Sequence, residues 1–79
     1  MSKPKKCYSY KDAVCRRETK LAILVQSDDF DTDDDVWVPK SVLSEDSEVY
    51  GEGDEGTLIV FRWWGNENGH VGELYREQE

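Results

Sequence analysis

The residues with the clearest chemical potential form an acidic run at positions 28–35, where six of eight side chains are carboxylates. Asp29, Asp31 and Asp33 have the D-x-D-x-D spacing that opens an EF-hand calcium loop. The rest of that motif differs, since Asp34 stands where the loop needs glycine and Lys40 stands where it needs a bidentate glutamate. No helical pattern flanks the run either. Calcium binding is therefore an alternative hypothesis for this segment, beside contact with a partner and a plain solvated loop.

Partner contact is the hypothesis that the charge distribution favours. The net charge is −8, and it divides into +5 over residues 1–20 and −13 over residues 21–79. Such an asymmetric field steers oppositely charged molecules, so we expect a basic protein partner. The predicted contact residues are the loop carboxylates and two side chains of types that interface hot spots favour. They are Asp28, Asp29, Asp31, Asp33, Asp34, Asp35, Arg62 and Trp64.

A second acidic stretch sharpens this hypothesis toward DNA mimicry. Glu45, Asp46, Glu48, Glu52, Asp54 and Glu55 follow the first run, and both loops are expected along one edge of a sheet. Duplex DNA carries one negative charge per ~1.7 Å of axis, and a comparable row of carboxylates fits a groove that binds nucleic acid. An inhibitor of a basic nucleic-acid-handling protein is the resulting prediction.

Direct nucleic-acid binding is the main alternative, and it uses the opposite charges. Basic and aromatic side chains of the N-terminal half are the types that hold phosphates and stack bases. The candidate residues are Lys5, Lys6, Arg16, Arg17, Lys20, Trp37 and Lys40. The net charge disfavours this hypothesis, because the acidic loops repel phosphate.

Catalysis and cofactor binding are not expected. His70 is the only histidine, and neither Cys7 nor Cys15 has a histidine near it in sequence. No glycine-rich phosphate loop precedes a helix. The two cysteines form no CxxC pair and there is no apolar run of signal-peptide or transmembrane length, so we expect two reduced thiols in a cytoplasmic protein, with a disulfide between strands as the alternative.

The segments that must position these residues are mostly strands. Residues 7–18 alternate weakly and indicate a half-exposed strand, with one helical turn over 12–17 as the alternative. Residues 19–27 are the clearest strand, with Leu21, Ile23 and Val25 on one face. Residues 36–39 predict a strand that is not central in the sheet, because Pro39 lacks an N–H for the ladder, and a short 3₁₀ turn follows. Residues 44–56 predict a long flexible polar loop.

The second strong strand is predicted over residues 57–64. An unpaired guanidinium is rarely buried, so Arg62 assigns the Ile59, Phe61 and Trp63 face to the core and leaves Trp64 nearer the surface. Residues 65–69, GNENG, predict a turn. Residues 70–75 indicate either a short edge strand or one helical turn.

These elements predict an all-β fold, a small SH3-like or OB-like partly open barrel or a strongly bent antiparallel sheet. We expect a disordered basic tail at 1–6, one β domain at 7–76 and a frayed end at 77–79.

The strings TKLAILV at 19–25 and VWVPKSVL at 36–43 resemble a pattern found in short phage and prophage accessory proteins. In these proteins an AILV-type strand precedes a W-(I/V)-P-K-S segment, and a second apolar strand carrying tryptophan follows a glycine. The resemblance covers residues 14–64. It implies a small β domain encoded by a phage or mobile element, acting in the host cytoplasm, and it implies no particular chemistry. This chain differs from the pattern in its longer acidic loop and in WWGNENGHVGEL, where the similar proteins end in an amphipathic helix.

Overall fold

The computed structural model describes residues 6–30 and 32–76. Within these residues, five strands and two short helical segments follow one another. They are β1 (Lys6–Glu18), β2 (Ala22–Gln26), β3 (Val36–Pro39), a 3₁₀ turn (Lys40–Val42), β4 (Glu55–Phe61), α1 (Arg62–Asn68) and β5 (Glu73–Arg76). Within these residues no helix has the length and apolar character needed to cross a membrane. The tail predicted at 1–6 and the end at 77–79 lie outside the described residues, except that Lys6 already begins β1.

Strand β1 organises the whole sheet, because it pairs with three others. Its N-terminal half lies between β4 and β5, and its C-terminal half lies between β4 and β2. The pairing shifts register between Tyr10 and Ala13, where Asp12 has a φ of 54°, and again between Cys15 and Arg17. Such irregularities bend a strand and increase its twist. The prediction of a strand rather than a helical turn over 12–17 is therefore confirmed.

The bent sheet has the order β3-β2-β1-β4, all antiparallel, and β5 pairs with β1. Over residues 6–30 and 32–76 the sheet is not closed. The 3₁₀ turn carries the chain from β3 to the far edge of β4, where Leu43 bridges to Val60 and the Ser44 N–H donates to the Ile59 carbonyl at 2.9 Å. The fold is the partly open barrel or bent sheet that the sequence predicted.

The predicted polar loop at 44–56 is packed against the sheet. Val49 is fully buried, and Ser47 Oγ accepts the backbone N–H of Ile59 at 3.1 Å. The backbone N–H of Glu48 donates to the Thr57 carbonyl at 2.9 Å. A segment that reads as solvated in the sequence thus covers one edge of β4.

The main core cluster includes Ile23 and Val25 of β2 together with Leu58 and Val60 of β4. Ile23 and Val25 are fully buried, as predicted, whereas Leu21 is 76% exposed because it lies in the turn before β2 begins. The largest fully buried side chains in β1 and β4 are Tyr10 and Leu58.

The strand predicted over 57–64 ends early, at Phe61, and this overturns the assignment of its faces. The chain turns into α1 at Arg62, so the period of two no longer applies to the tryptophans. Trp64 is 5% exposed and belongs to the core, whereas Trp63 is 56% exposed. The predicted surface position of Trp64 is therefore wrong.

Residues 65–69 were predicted as a turn, and most of them instead complete α1. Gly65 allows the helix to lie directly on β1, because a Cβ there would stand 2.6 Å from Cδ2 of Tyr8. Gly69 ends the helix in the left-handed region, with a φ of 74°. The chain then returns as β5, so the strand alternative for the last segment is the correct one.

Both cysteines have buried side chains. Cys7 and Cys15 lie eight positions apart on the same strand, which corresponds to about 25 Å at the rise of an extended chain. A disulfide needs Cα atoms within about 7 Å, so this fold does not allow the two to pair.

Candidate functional site

The acidic loop joins β2 to β3, and a phenylalanine ties it to the core. Phe30 is 6% exposed, and its ring centroid lies 4.7 Å from that of Tyr10 and 5.3 Å from that of His70. The sequence predicted a wholly solvated loop and missed this contact. The available signal was that Phe30 is the one apolar residue in the acidic run. Phe30 therefore holds this part of the loop against the core.

Two further contacts fix the start of the loop beside the bend of β1. Asp29 Oδ2 accepts the backbone N–H of Lys11 at 2.8 Å, and Ser27 Oγ donates to the Lys11 carbonyl at 2.7 Å. A carboxylate that accepts a backbone N–H satisfies a donor that the interrupted ladder leaves open. Asp29 therefore holds the loop in position and is less available to a partner.

Three carboxylates of the loop are free to meet a partner. Asp28, Asp33 and Asp34 are exposed, and within residues 6–30 and 32–76 their side chains make no hydrogen bond or ion pair. Asp35 differs, because it lies 3.4 Å from Nε of Arg16. Asp31 lies outside the described residues.

Trp37 lies on the outer face of β3, and its side chain is 49% exposed. It is paired with Leu24 of β2, and Leu24 is paired with Arg17 of β1. Residues directly opposite each other point to the same side of a sheet. A row across the outer surface, at the end of the acidic loop, is thus formed by Arg17, Leu24 and Trp37.

Neither of the contact residues predicted from the C-terminal part of the chain, Arg62 and Trp64, has a fully exposed side chain. The Trp64 ring is buried, with its centroid 5.7 Å from that of His70. Arg62 is half-buried, its Cζ lies 5.8 Å from the Tyr8 ring centroid, and its Nε has no hydrogen-bond partner among the described residues. The exposed aromatic residue beside the acidic loop is Trp37, which the sequence placed in the alternative nucleic-acid set.

The second acidic stretch does not continue the first. Val14 of β1 is paired with Gln26 on one side and with Glu55 on the other, so the two stretches lie on opposite sides of β1. Several of its carboxylates also serve the fold. Asp46 accepts the Tyr75 hydroxyl, Glu48 accepts the Thr57 N–H, and Asp54 accepts the N–H groups of Tyr50 and Gly51. The expectation of one acidic row along one edge is wrong.

The basic residues of the alternative set are also dispersed. Arg16 is engaged by Asp35 and by Gln26, to whose Oε1 its Nη2 donates at 2.8 Å, and Lys40 Nζ donates to Glu18. Arg17 and Lys20 are exposed near the β1–β2 turn, whereas Lys6 begins the other end of β1. Lys5 lies outside the described residues. Among the described members of the set, Arg17 lies in the same cross-strand row as Trp37, with Leu24 of β2 between them.

The structure around the acidic run differs from that of an EF-hand calcium site. The acidic run is flanked by strands rather than by the helices of an EF-hand, and Asp29 is already bound to the backbone of β1. Among the described residues, no three histidine, cysteine or acidic side chains are grouped so that they could hold a metal ion.

Comparison with protein-family models, curated proteins and solved structures finds no match for this chain.

Proposed function

We propose that this chain is a non-enzymatic protein-binding module that contacts a basic partner through the β2–β3 hairpin. The observation that carries the proposal is the joint exposure of Asp28, Asp33, Asp34 and Trp37 on one hairpin whose loop is anchored by buried Phe30. A carboxylate cluster speeds encounter with a basic surface, and an aromatic side chain supplies contact area once the two proteins meet.

The anchored start of the loop favours binding because Phe30 and Asp29 are held in place before the partner arrives. Immobilising a flexible loop on binding opposes association, and a loop already held by Phe30 and Asp29 avoids part of that cost. The partner class that this surface suits is a protein with a basic groove, of the kind that handles nucleic acid. Inhibition of such a protein is the proposed consequence, and it requires only the hairpin, not a row spanning both acidic stretches.

Affinity capture of host proteins on the immobilised chain, repeated with four variants, tests the proposal. Trp37→Ala is expected to weaken the captured interaction about 30-fold, the effect of losing a hot-spot residue. The double change Asp33→Asn with Asp34→Asn is expected to slow association and to reduce its salt dependence.

Two control variants each remove an exposed group from another part of the surface. Trp63→Ala removes an exposed tryptophan from α1, and Glu45→Gln removes a carboxylate from the second acidic stretch. Both are expected to bind as the wild type does. Equal binding by the Trp37 and Trp63 variants, with both folded by circular dichroism, would contradict the proposal.

Direct nucleic-acid binding remains a second candidate because Arg17 lies in the same row as Trp37. The test is a fluorescence anisotropy titration with single- and double-stranded DNA and RNA at low and physiological salt. Binding that weakens with salt and is reduced by Arg17→Gln supports this candidate, since phosphate contacts release counterions. An absence of binding at low salt removes it.

A further inference from the structure

The outer edge of β3 has backbone groups that point away from the sheet. In the order β3-β2-β1-β4, β3 is terminal, and among the described residues no backbone hydrogen bond joins Val36, Trp37 or Val38 to any segment other than β2. An edge strand of this kind is a template for pairing with another chain.

The register shows which groups of β3 are free. The Lys40 N–H donates to the Leu21 carbonyl at 2.8 Å, and this places Ala22 and Pro39 in a pair that exchanges no hydrogen bonds of its own. Antiparallel pairs alternate between the bonded and the non-bonded kind. Val38 is therefore bonded to Ile23, whereas Trp37 and Leu24 form a non-bonded pair.

It follows that the N–H and C=O of Trp37 both point to the open edge. The same residue has a side chain that is 49% exposed on the outer face of the sheet. Pro39 is the next outward-pointing position, and it offers a carbonyl but no N–H. A strand added to β3 would thus be bonded at Trp37 and would end near Pro39, so that it extends in the other direction, past Asp35, Asp34 and Asp33.

From this arrangement we infer that the partner contributes an extended segment rich in lysine or arginine, which adds as a strand to the edge of β3. The inference rests on the proposed function and specifies its mode of binding. Main-chain bonds at Trp37 hold the segment, and the unpaired carboxylates Asp33 and Asp34 select its charge. Strand addition of this type takes affinity from the main chain and specificity from alternate side chains.

The charge complementarity argues for a foreign basic segment and against a second copy of this chain. Each copy has a net charge of −8, and pairing through β3 would bring the two acidic loops to the same edge. Like charges across an interface disfavour association, so self-pairing through β3 is opposed by the same loops that attract a basic segment.

Nuclear magnetic resonance of the full chain with two synthetic peptides tests the inference. The first is a capped peptide of alternating lysine and valine, which puts charge on one face of a strand and apolar groups on the other. The second has the same side chains, with every other amide methylated on the edge that would face β3, so that it cannot donate there. The expected result is slowed amide exchange at Trp37 and shifts at Asp33 and Asp34 with the first peptide, and binding about tenfold weaker with the second.

The outcomes separate the inference from the proposed function. Equal binding of both peptides, with shifts at Asp33 and Asp34 but no protection of the Trp37 amide, overturns strand addition and leaves the hairpin as a binding surface. A complete absence of shifts on the hairpin overturns the proposed function as well. A concentration-dependent dimer in analytical ultracentrifugation, with the Trp37 amide protected before any peptide is added, overturns the choice of a basic segment as the occupant.

Discussion

Two adjacent tryptophans show that residue type alone does not predict whether a side chain is buried. Trp63 and Trp64 follow one another in the chain, yet the first is 56% exposed and the second 5% exposed. The difference arises because α1 begins at Arg62, and successive residues of a helix point about 100° apart rather than to opposite faces. Trp64 packs near His70 in the core, and it is not available to a partner unless the core opens.

This pair gives a matched test of burial. Trp64→Ala is expected to lower the free energy of unfolding by about 3 kcal/mol, the cost of removing a large buried aromatic side chain. Trp63→Ala is expected to change it by less than about 0.5 kcal/mol, as surface substitutions do. Urea denaturation followed by circular dichroism measures both. Should Trp64→Ala not fold, Trp64→Phe is expected to destabilise in the same direction by less, and equal stability of the Trp63 and Trp64 variants would contradict the packing.

Glu18 links three separate parts of the chain. Its pKa lies below the ordinary value because Lys40 Nζ donates a hydrogen bond to its carboxylate, and the backbone N–H of Glu52 donates another. These contacts join the end of β1 to the 3₁₀ turn and to the second acidic stretch. The charged form is therefore the one that the fold favours.

The pH dependence of stability follows from the lowered pKa of Glu18. A carboxyl whose pKa is lowered by folding stabilises the protein above its unfolded-state pKa, and the contribution disappears as pH falls through the folded-state pKa. Glu18→Gln is therefore expected to lower the free energy of unfolding at neutral pH and to converge on the wild type as pH falls below 4.5, the ordinary value for this group. Urea denaturation across this pH range checks it. Glu52→Gln is the control, and a difference from wild type that persists unchanged in acid would contradict the role of the Glu18 charge.

At the level of elements, the end of α1 depends on one backbone conformation. Gly69 has a φ of 74°, and its N–H donates to the Gly65 carbonyl. This is a common way for a helix to end. A Cβ at Gly69 would meet no atom of the described residues within 4 Å. The cost of a side chain there therefore comes from the backbone conformation and not from crowding by these neighbours. The segment that follows leads into β5.

Gly69→Ala is expected to lower the free energy of unfolding by about 1 kcal/mol, since the left-handed region disfavours a Cβ. Gly69→Asn is the comparison, because asparagine tolerates the left-handed region better than alanine does. Its free energy of unfolding is expected to lie between those of the alanine variant and the wild type. Thermal or urea unfolding measures the order. Equal stability of the alanine variant and the wild type would show that the helix ends differently in solution.

The acidic loop and β3 are elements of one hairpin, yet their properties have different origins. Proline at position 39 predicts a strand away from the sheet centre, and the structure confirms it as the terminal strand. The anchoring of the loop by Phe30 depends on Tyr10 and His70, which lie far away in sequence. No local pattern contains that contact.

For the molecule as a whole, β1 makes the two parts of the sheet interdependent. It pairs with β2 and β4 at one end and with β4 and β5 at the other. Among the described residues β4 and β5 pair with no named strand other than β1, and without β1 the strands β2 and β3 would form only a two-stranded hairpin. A chain of 79 residues also has little core to divide. The fold is therefore expected to be one cooperative unit.

The expected outcome is a single unfolding transition. Urea curves from far-ultraviolet circular dichroism, which reports strands, and from tryptophan fluorescence, which reports the surroundings of Trp37, Trp63 and Trp64, should coincide. Two separated midpoints would show that α1 and β5 unfold apart from the β2–β3 hairpin.

The sequence by itself determined the fold class, strands β2 and β3, the 3₁₀ turn and the position of the acidic loop. These follow from signals that act over a few residues, namely alternation of apolar side chains, a proline without an N–H and repulsion among neighbouring carboxylates. The same signals failed at Arg62, because a period of two continued through the tryptophans while the chain had already turned into a helix.

Only the tertiary structure decided which aromatic residue faces solvent, how the loop is held, and where the two acidic stretches lie. Each depends on a partner distant in the chain: His70 and Tyr10 for Phe30, and β1 for the separation of the carboxylates. The free edge at Trp37 likewise follows from the order and register of strands. Burial and pairing are properties of elements brought together, and so they are fixed by the packed sheet rather than by any single stretch of residues.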